Sequence, residues 1–229
     1  MAKRKKQQQK KEEETLIDLV SARDQAQGFM DRNQNLVFGI LVGIVVIIGG
    51  VFAYNKFVKE PKQQEAVLQV WKAEEQFFRD SFNLALANPG GGYEGLSTIV
   101  EEYGSVPTGN AAAYYAGISC LHTGKYEAAV SYLKDVKADG QVMGIMKYGA
   151  LGDAYSELNQ FDKALSSYKS AVNATPNDAL TPIYLLRYGM LNEKQGKSAE
   201  AKKAYQRIKD EFSTSTQARD AERYLSRLP

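Results

Sequence analysis

One cysteine, one histidine and one tryptophan in 229 residues leave this chain short of the side chains that most chemistry needs. The lone thiol, Cys120, excludes an internal disulfide. The lone histidine, His122, stands two residues further on. Positions two apart on a helix point in different directions, so the pair makes neither a metal site nor a Cys/His nucleophile. A phosphate-cradling glycine loop is missing too. Gly90-Gly91-Gly92 follows a helix-periodic stretch, has no lysine at the required spacing, and reads as a helix stop. Acidic pairs such as Glu101-Glu102 fall at helical surface positions, where a solvated face explains them. Enzyme function has no support in these residues, and no metal or cofactor is expected.

A charge of one sign is lacking as well. Residues 55–229 hold 21 basic and 21 acidic side chains, so nothing there pulls on nucleic acid. Residues 1–54 carry eight basic and six acidic residues. The stretch 1–14, MAKRKKQQQKKEEE, is a basic low-complexity tail that can bury nothing and reads as disordered. From 15 to 35 the pattern becomes that of an amphipathic helix. Thr15 and Asp18 fit a capping box, followed by Leu16, Leu19, Val20, Ala26 and Met30 at helical spacing.

Only one long apolar run exists, LVFGILVGIVVIIGGVFAY at 36–54. It has no charge, and 13 of its 19 residues are Leu, Ile, Val or Phe. As a helix it would measure roughly 28 Å, against about 30 Å for the hydrocarbon core of a bilayer. It starts too late and runs too long for a cleaved signal peptide, and no cysteine follows it for lipid attachment. The segment 36–58 is therefore expected to be an uncleaved transmembrane anchor in the lipid bilayer. Gly39 and Gly43 form GxxxG, the spacing that lets two membrane helices pack closely, and offer a homodimer contact. Eight basic residues in the short N-terminal part favour a cytoplasmic N-terminus and an exported C-terminal domain. Near the anchor, however, Lys56, Lys59, Lys62 and Lys72 outnumber Arg23 and Arg32, which leaves the reverse topology as an alternative.

No strand-like alternation follows the anchor, so 62–229 reads as an all-α domain. Pro61 is expected to separate it from the anchor. Residues 62–88 read as one long helix, with Val67, Val70, Trp71, Phe77, Phe78, Phe82 and Ala85 on one stripe. Pro89-Gly90-Gly91-Gly92 stops it, and 93–103 forms a shorter helix closed by Gly104 and Pro107.

Three later segments repeat one another. Gly117, Gly152 and Gly189 align. Twelve residues on come Ala129, Ala164 and Ala201, and four further on Leu133, Tyr168 and Tyr205. The spacings between units are 35 and 37 residues. Small residues at the glycine and alanine positions let two helices approach, and the large ones fill the space between them. The pattern resembles the tetratricopeptide repeat, a helix–turn–helix unit of about 34 residues. Leu151, Gly152, Tyr155, Ala164, Tyr168, Ala171 and Pro176 occupy its signature positions. The resemblance implies an α-solenoid with repeats near 110–143, 145–178 and 182–215, a degenerate helical pair at 62–103 and a capping helix at 217–228.

Such arrays bind partner proteins on the concave face of their first helices. Carried over position by position, that face is Tyr114, Ile118, Leu121 and His122 in the first unit. It continues as Gly149, Asp153, Ser156 and Glu157 in the second, and as Leu186, Met190, Glu193 and Lys194 in the third. The Lys/Asn/Arg set with which some of these arrays clamp a C-terminal carboxylate is missing. The basic tail, DRNQNLVFG before the anchor, NPGGGYEG and YYAGISCLHTGKYEAA together resemble single-pass tetratricopeptide proteins of Bacteroidota envelopes. More remotely, the layout is similar to the ancillary inner-membrane subunit of the Sec translocon, with its periplasmic repeats. That resemblance implies a scaffold at the bacterial inner membrane whose partners are translocon subunits, exported chains or periplasmic chaperones. RIKDEFSTSTQARDAERYL resembles the closing repeats of envelope proteins in cell division or outer-membrane assembly, and so leaves an envelope organiser as the alternative.

Overall fold

The computed structural model describes Gln27, Met30 and residues 32–228. The expected tail at 1–14 and most of the stretch 15–35 expected as an amphipathic helix, with Thr15 and Asp18, lie outside the described residues. Among those described, every regular element is helical. Contacts divide the chain into two units, at Val58 and Lys59.

In the first unit, α1 covers Gln34–Tyr54 and buries none of its residues. An 18-residue window there has a mean hydropathy of 2.9. By length and composition this helix can cross a membrane.

A π-helical turn, Asn55–Lys59, follows. Pro61 does not interrupt the helical backbone as its steric rule implies. Glu60, the residue before the proline, is itself helical as the first residue of α2, Glu60–Phe78, and Lys59 ahead of it also has helical angles (φ −71°, ψ −44°). A proline inside a continuous helix gives up its N–H and crowds the carbonyl four residues back; here that carbonyl, on Phe57, belongs to the π-helical turn rather than to a regular α turn.

The second unit continues with α3 (Phe82–Ala87), α4 (Leu96–Tyr103), α5 (Pro107–His122), α6 (Tyr126–Asp135), α7 (Gln141–Glu157), α8 (Phe161–Asn173), α9 (Thr181–Lys194), α10 (Ser198–Glu211) and α11 (Thr216–Arg227). The expected single helix over 62–88 is two, because Asp80 turns left-handed at φ 57°. The Ser81 N–H then donates to Gln76 O at 2.9 Å, a Schellman closure. The same closure ends the first helix of each later pair. Gly124, Asn159 and Gly196 take the left-handed angle. Lys125, Gln160 and Lys197 donate to Cys120, Tyr155 and Asn192 at 2.8, 2.9 and 2.8 Å. By this criterion α2 is already the first helix of a unit.

Helices α5 and α6, α7 and α8, and α9 and α10 pack as pairs, and each pair packs on the next. The glycines explain how closely. A side chain begun at Gly152 would put its Cβ 2.4 Å from the Tyr168 ring. Gly189 meets Tyr205 at the same 2.4 Å, and Gly117 meets Leu133 at 2.6 Å. Glycine is required at these crossings by space, because the facing ring lies where a methyl group would go. Tyr168, Tyr205 and Leu133 are buried together with Ala129, Ala164 and Ala201, forming the core that holds each pair.

Candidate partner-binding groove

Helix α5 packs on α7 and α11 on α9, and Tyr184 and Arg187 of α9 reach Gly149 and Asp153 of α7. At one end of this face Tyr114, Ile118 and Leu121 are half-buried against the core. His122 is exposed and stacks on Phe82, with ring centroids 4.3 Å apart and planes 6° from parallel. Phe78 meets Tyr115 edge-on at 6.1 Å. Helices α2 and α3 therefore extend this face with aromatic side chains that the repeat alignment did not reach.

Toward the C-terminus the face becomes polar. Tyr168 donates its hydroxyl to Asp153 Oδ1 at 2.7 Å, and Arg187 closes an ion pair on Oδ2 of the same carboxylate. Burial raises the Asp153 carboxyl from its ordinary range, and the Arg187 charge and the Tyr168 hydroxyl oppose that rise. Tyr114 belongs to the same cluster. Burial raises its phenol, and Tyr184 and Asp153 add to the effect.

The arrangement is built twice. Glu193 accepts from Tyr205 at 3.0 Å and from Arg227 at 2.9 Å. In each copy the acid sits on a first helix, the tyrosine on the second helix of that pair, and the arginine 34 residues beyond the acid. The tyrosine stacks on another from the next first helix, Tyr168 on Tyr184 at 6.4 Å and Tyr205 on Tyr224 at 5.2 Å. Each arginine also lies over that second ring, at 5.4 and 4.3 Å. We call this four-residue unit a rung.

Between the rungs opens a cleft of about 530 Å³ lined by Ser156, Tyr168, Arg187, Met190, Leu191, Glu193, Lys194 and Arg227. Of the twelve positions expected from the repeat, Ser156, Met190, Glu193 and Lys194 meet here, with Asp153 and Tyr114 beside them through Arg187 and Tyr184. Gly149 is buried, and the Tyr184 ring lies 2.0 Å from where its Cβ would be, so the ring covers it and it does not line the cleft. Leu186 packs half-buried against the core and Glu157 is exposed. Arg187, Arg227, Tyr168 and Tyr184 were not among the twelve. The signal for Tyr184, Arg187 and Arg227 is the repeated Tyr-Leu-x-Arg of 184–187 and 224–227, and Tyr168 is a signature position of the repeat.

Among the described residues no group of three His, Cys, Asp or Glu side chains is placed to hold a metal. Cys120 is buried, which pushes its thiol up and away from reactivity. The face offers apolar and aromatic surface with paired charges around it, which suits recognition of another protein chain.

No curated protein and no solved structure matches the chain significantly. Residues 150–216 match the model of the tetratricopeptide repeat family. The matched segment, similar to tetratricopeptide repeats, holds the whole first rung, Glu193 and Tyr205 of the second, and all of the cleft lining except Arg227.

Proposed function

We propose that this protein is a membrane-tethered scaffold: α1 holds it in a bilayer and the face of α5, α7 and α9 binds a partner protein. The observation that carries this reading is the pairing of a wholly unburied apolar helix with a repeat cleft lined by side chains suited to contact. Exposing 21 residues of such a helix to water is strongly unfavourable, and a bilayer removes that cost. A tether raises the local concentration of the cleft at the membrane, so modest contacts suffice. Gly39 and Gly43 have nothing within 4 Å of their built Cβ positions and are open to a second anchor helix.

The finer reading places the N-terminus in the cytoplasm of a bacterial cell and the repeats on the exported side of the inner membrane. There they would hold exported chains, chaperones or translocon subunits near the Sec machinery. Its support is the basic tail and the resemblance in layout. Photo-crosslinkers at Met190 and Lys194 test it, and recovery of an exported protein or a translocon subunit is the expected result. Adducts with cytoplasmic proteins alone would reject the topology and the Sec association together. Protease accessibility of the repeat domain in spheroplasts checks the topology independently.

A further inference from the structure

Helix α2 buries Ala66, Val70 and Ala73 against the rest of its unit. Its opposite side carries Gln64, Val67, Leu68, Trp71, Glu75 and Phe78. Val67 is 50 % exposed, Leu68 68 %, Trp71 48 % and Phe78 70 %. A helical repeat array needs polar surfaces at its ends. Helix α11 meets that need, with Thr216, Arg219, Glu222, Arg223 and Ser226 all exposed. The α2 end does not.

Three features of this face point to its occupant. Gln64, Leu68, Trp71, Glu75 and Phe78 follow one another at four- and three-residue steps, the spacing by which two parallel helices mesh. The one carboxylate in the row, Glu75, is neutralised within its own helix by Lys72 at 2.6 Å and Arg79 at 2.7 Å. In a parallel pair with this register, the positions flanking the seam meet across it five residues apart. Glu74 of one copy then faces Arg79 of the other, so the face carries its own complementary charge.

The size of the face sets the conditions. Weighted by exposure, its four apolar side chains offer roughly 500 Å² per copy, or about 1,000 Å² for a symmetric pair, whereas stable complexes bury about 1,200–2,000 Å². That is too little for two free copies and sufficient for two held in one bilayer. A shared membrane also gives both copies the same topology and concentrates them.

We propose that the outward face of α2 is the contact between two copies of this chain in one membrane. The inference rests on the membrane tether proposed above and shares only Phe78 with the groove face. Full-length protein in native membranes tests it by oxidative cross-linking, and the buried Cys120 does not compete. Leu68→Cys is expected to give a disulfide-linked dimer in high yield, and Gln69→Cys, around the helix, at least five-fold less. Adding Glu74→Arg should reduce the Leu68→Cys dimer several-fold, and Glu74→Arg with Arg79→Glu should restore it. A membrane-bound chain that gives equal yields at the two positions, or no rescue by the charge swap, overturns the proposal. So does a Leu68→Cys adduct with another protein. Recovery in the soluble fraction instead overturns the tether itself, and the fractionation of the same samples separates these results.

Discussion

A tyrosine ring occupies the space where Gly152 would place a side chain, and Gly189 is in the same position. Adding one carbon at either site forces the helix pair apart, and overpacking of this kind costs about 1–3 kcal/mol. Gly152→Ala and Gly189→Ala are each expected to lower Tm by several degrees, at ~2–4 °C per kcal/mol for a domain of this size. Thermal unfolding followed by circular dichroism checks this. Gly39→Ala, on the open surface of α1, should leave that transition unchanged. These glycines were legible in the sequence because they recur in phase with the large residue they meet. The arginines were not, since an ion pair formed 34 residues away leaves no local period, and only the repeated Tyr-Leu-x-Arg hints at it.

Glu94 gives a second test at this scale. Its Oε2 is buried without a hydrogen-bond partner. Burial raises its carboxyl above the ordinary value of 4.5, and the negative charges of Glu102 and Glu65 raise it further. Between the ordinary and the raised value the folded state binds the extra proton, so folding stability falls as pH rises through that window. Glu94→Gln removes the charge. The variant should unfold at higher urea concentration than the parent at pH 7, and the difference should close below pH 4.5. An unchanged difference across that range would remove the electrostatic explanation.

At the scale of helices, the turns decide the outcome. Four first helices end on a left-handed residue, two of them glycine at Gly124 and Gly196, the others Asp80 and Asn159. Gly124 and Gly196 announce their turns. Asp80 does not, and the apolar stripe running across it reads as one long helix although the backbone reverses there. Asp and Asn tolerate this angle at some cost, glycine at none, and β-branched residues least well. Asp80→Gly is therefore expected to match or exceed the parent in stability, and Asp80→Val to lose about 1–2 kcal/mol. Chemical denaturation of the three proteins side by side checks the order. Pro61 misled in the opposite sense: Glu60 before it stays helical, directly after the π turn that ends at Lys59.

At the scale of the molecule, α11 completes the array. Its Tyr224 covers Tyr205, and its Arg227 reaches Glu193. Deleting residues 216–229 uncovers the α9–α10 pair and removes one rung. Nearest-neighbour stability then predicts a local loss: amides of α9 and α10 should exchange faster by ten-fold or more, while those of α5 and α6 change little. The helical repeat itself was legible because it rests on small residues spaced for close approach. The cleft was legible only in part, since four of its eight lining residues, Tyr168, Arg187, Leu191 and Arg227, fall outside the groove positions carried over from the repeat.

The two rungs also have a mechanical consequence. Each ties a first helix to its own second helix and to the next unit, so the pairs cannot flex apart at the cleft without breaking an ion pair and parting two stacked tyrosines. A receptor held this stiffly changes shape little on contact. The cost in conformational freedom then falls on the partner, and a segment that is extended before it arrives will bind better than one that must first unfold.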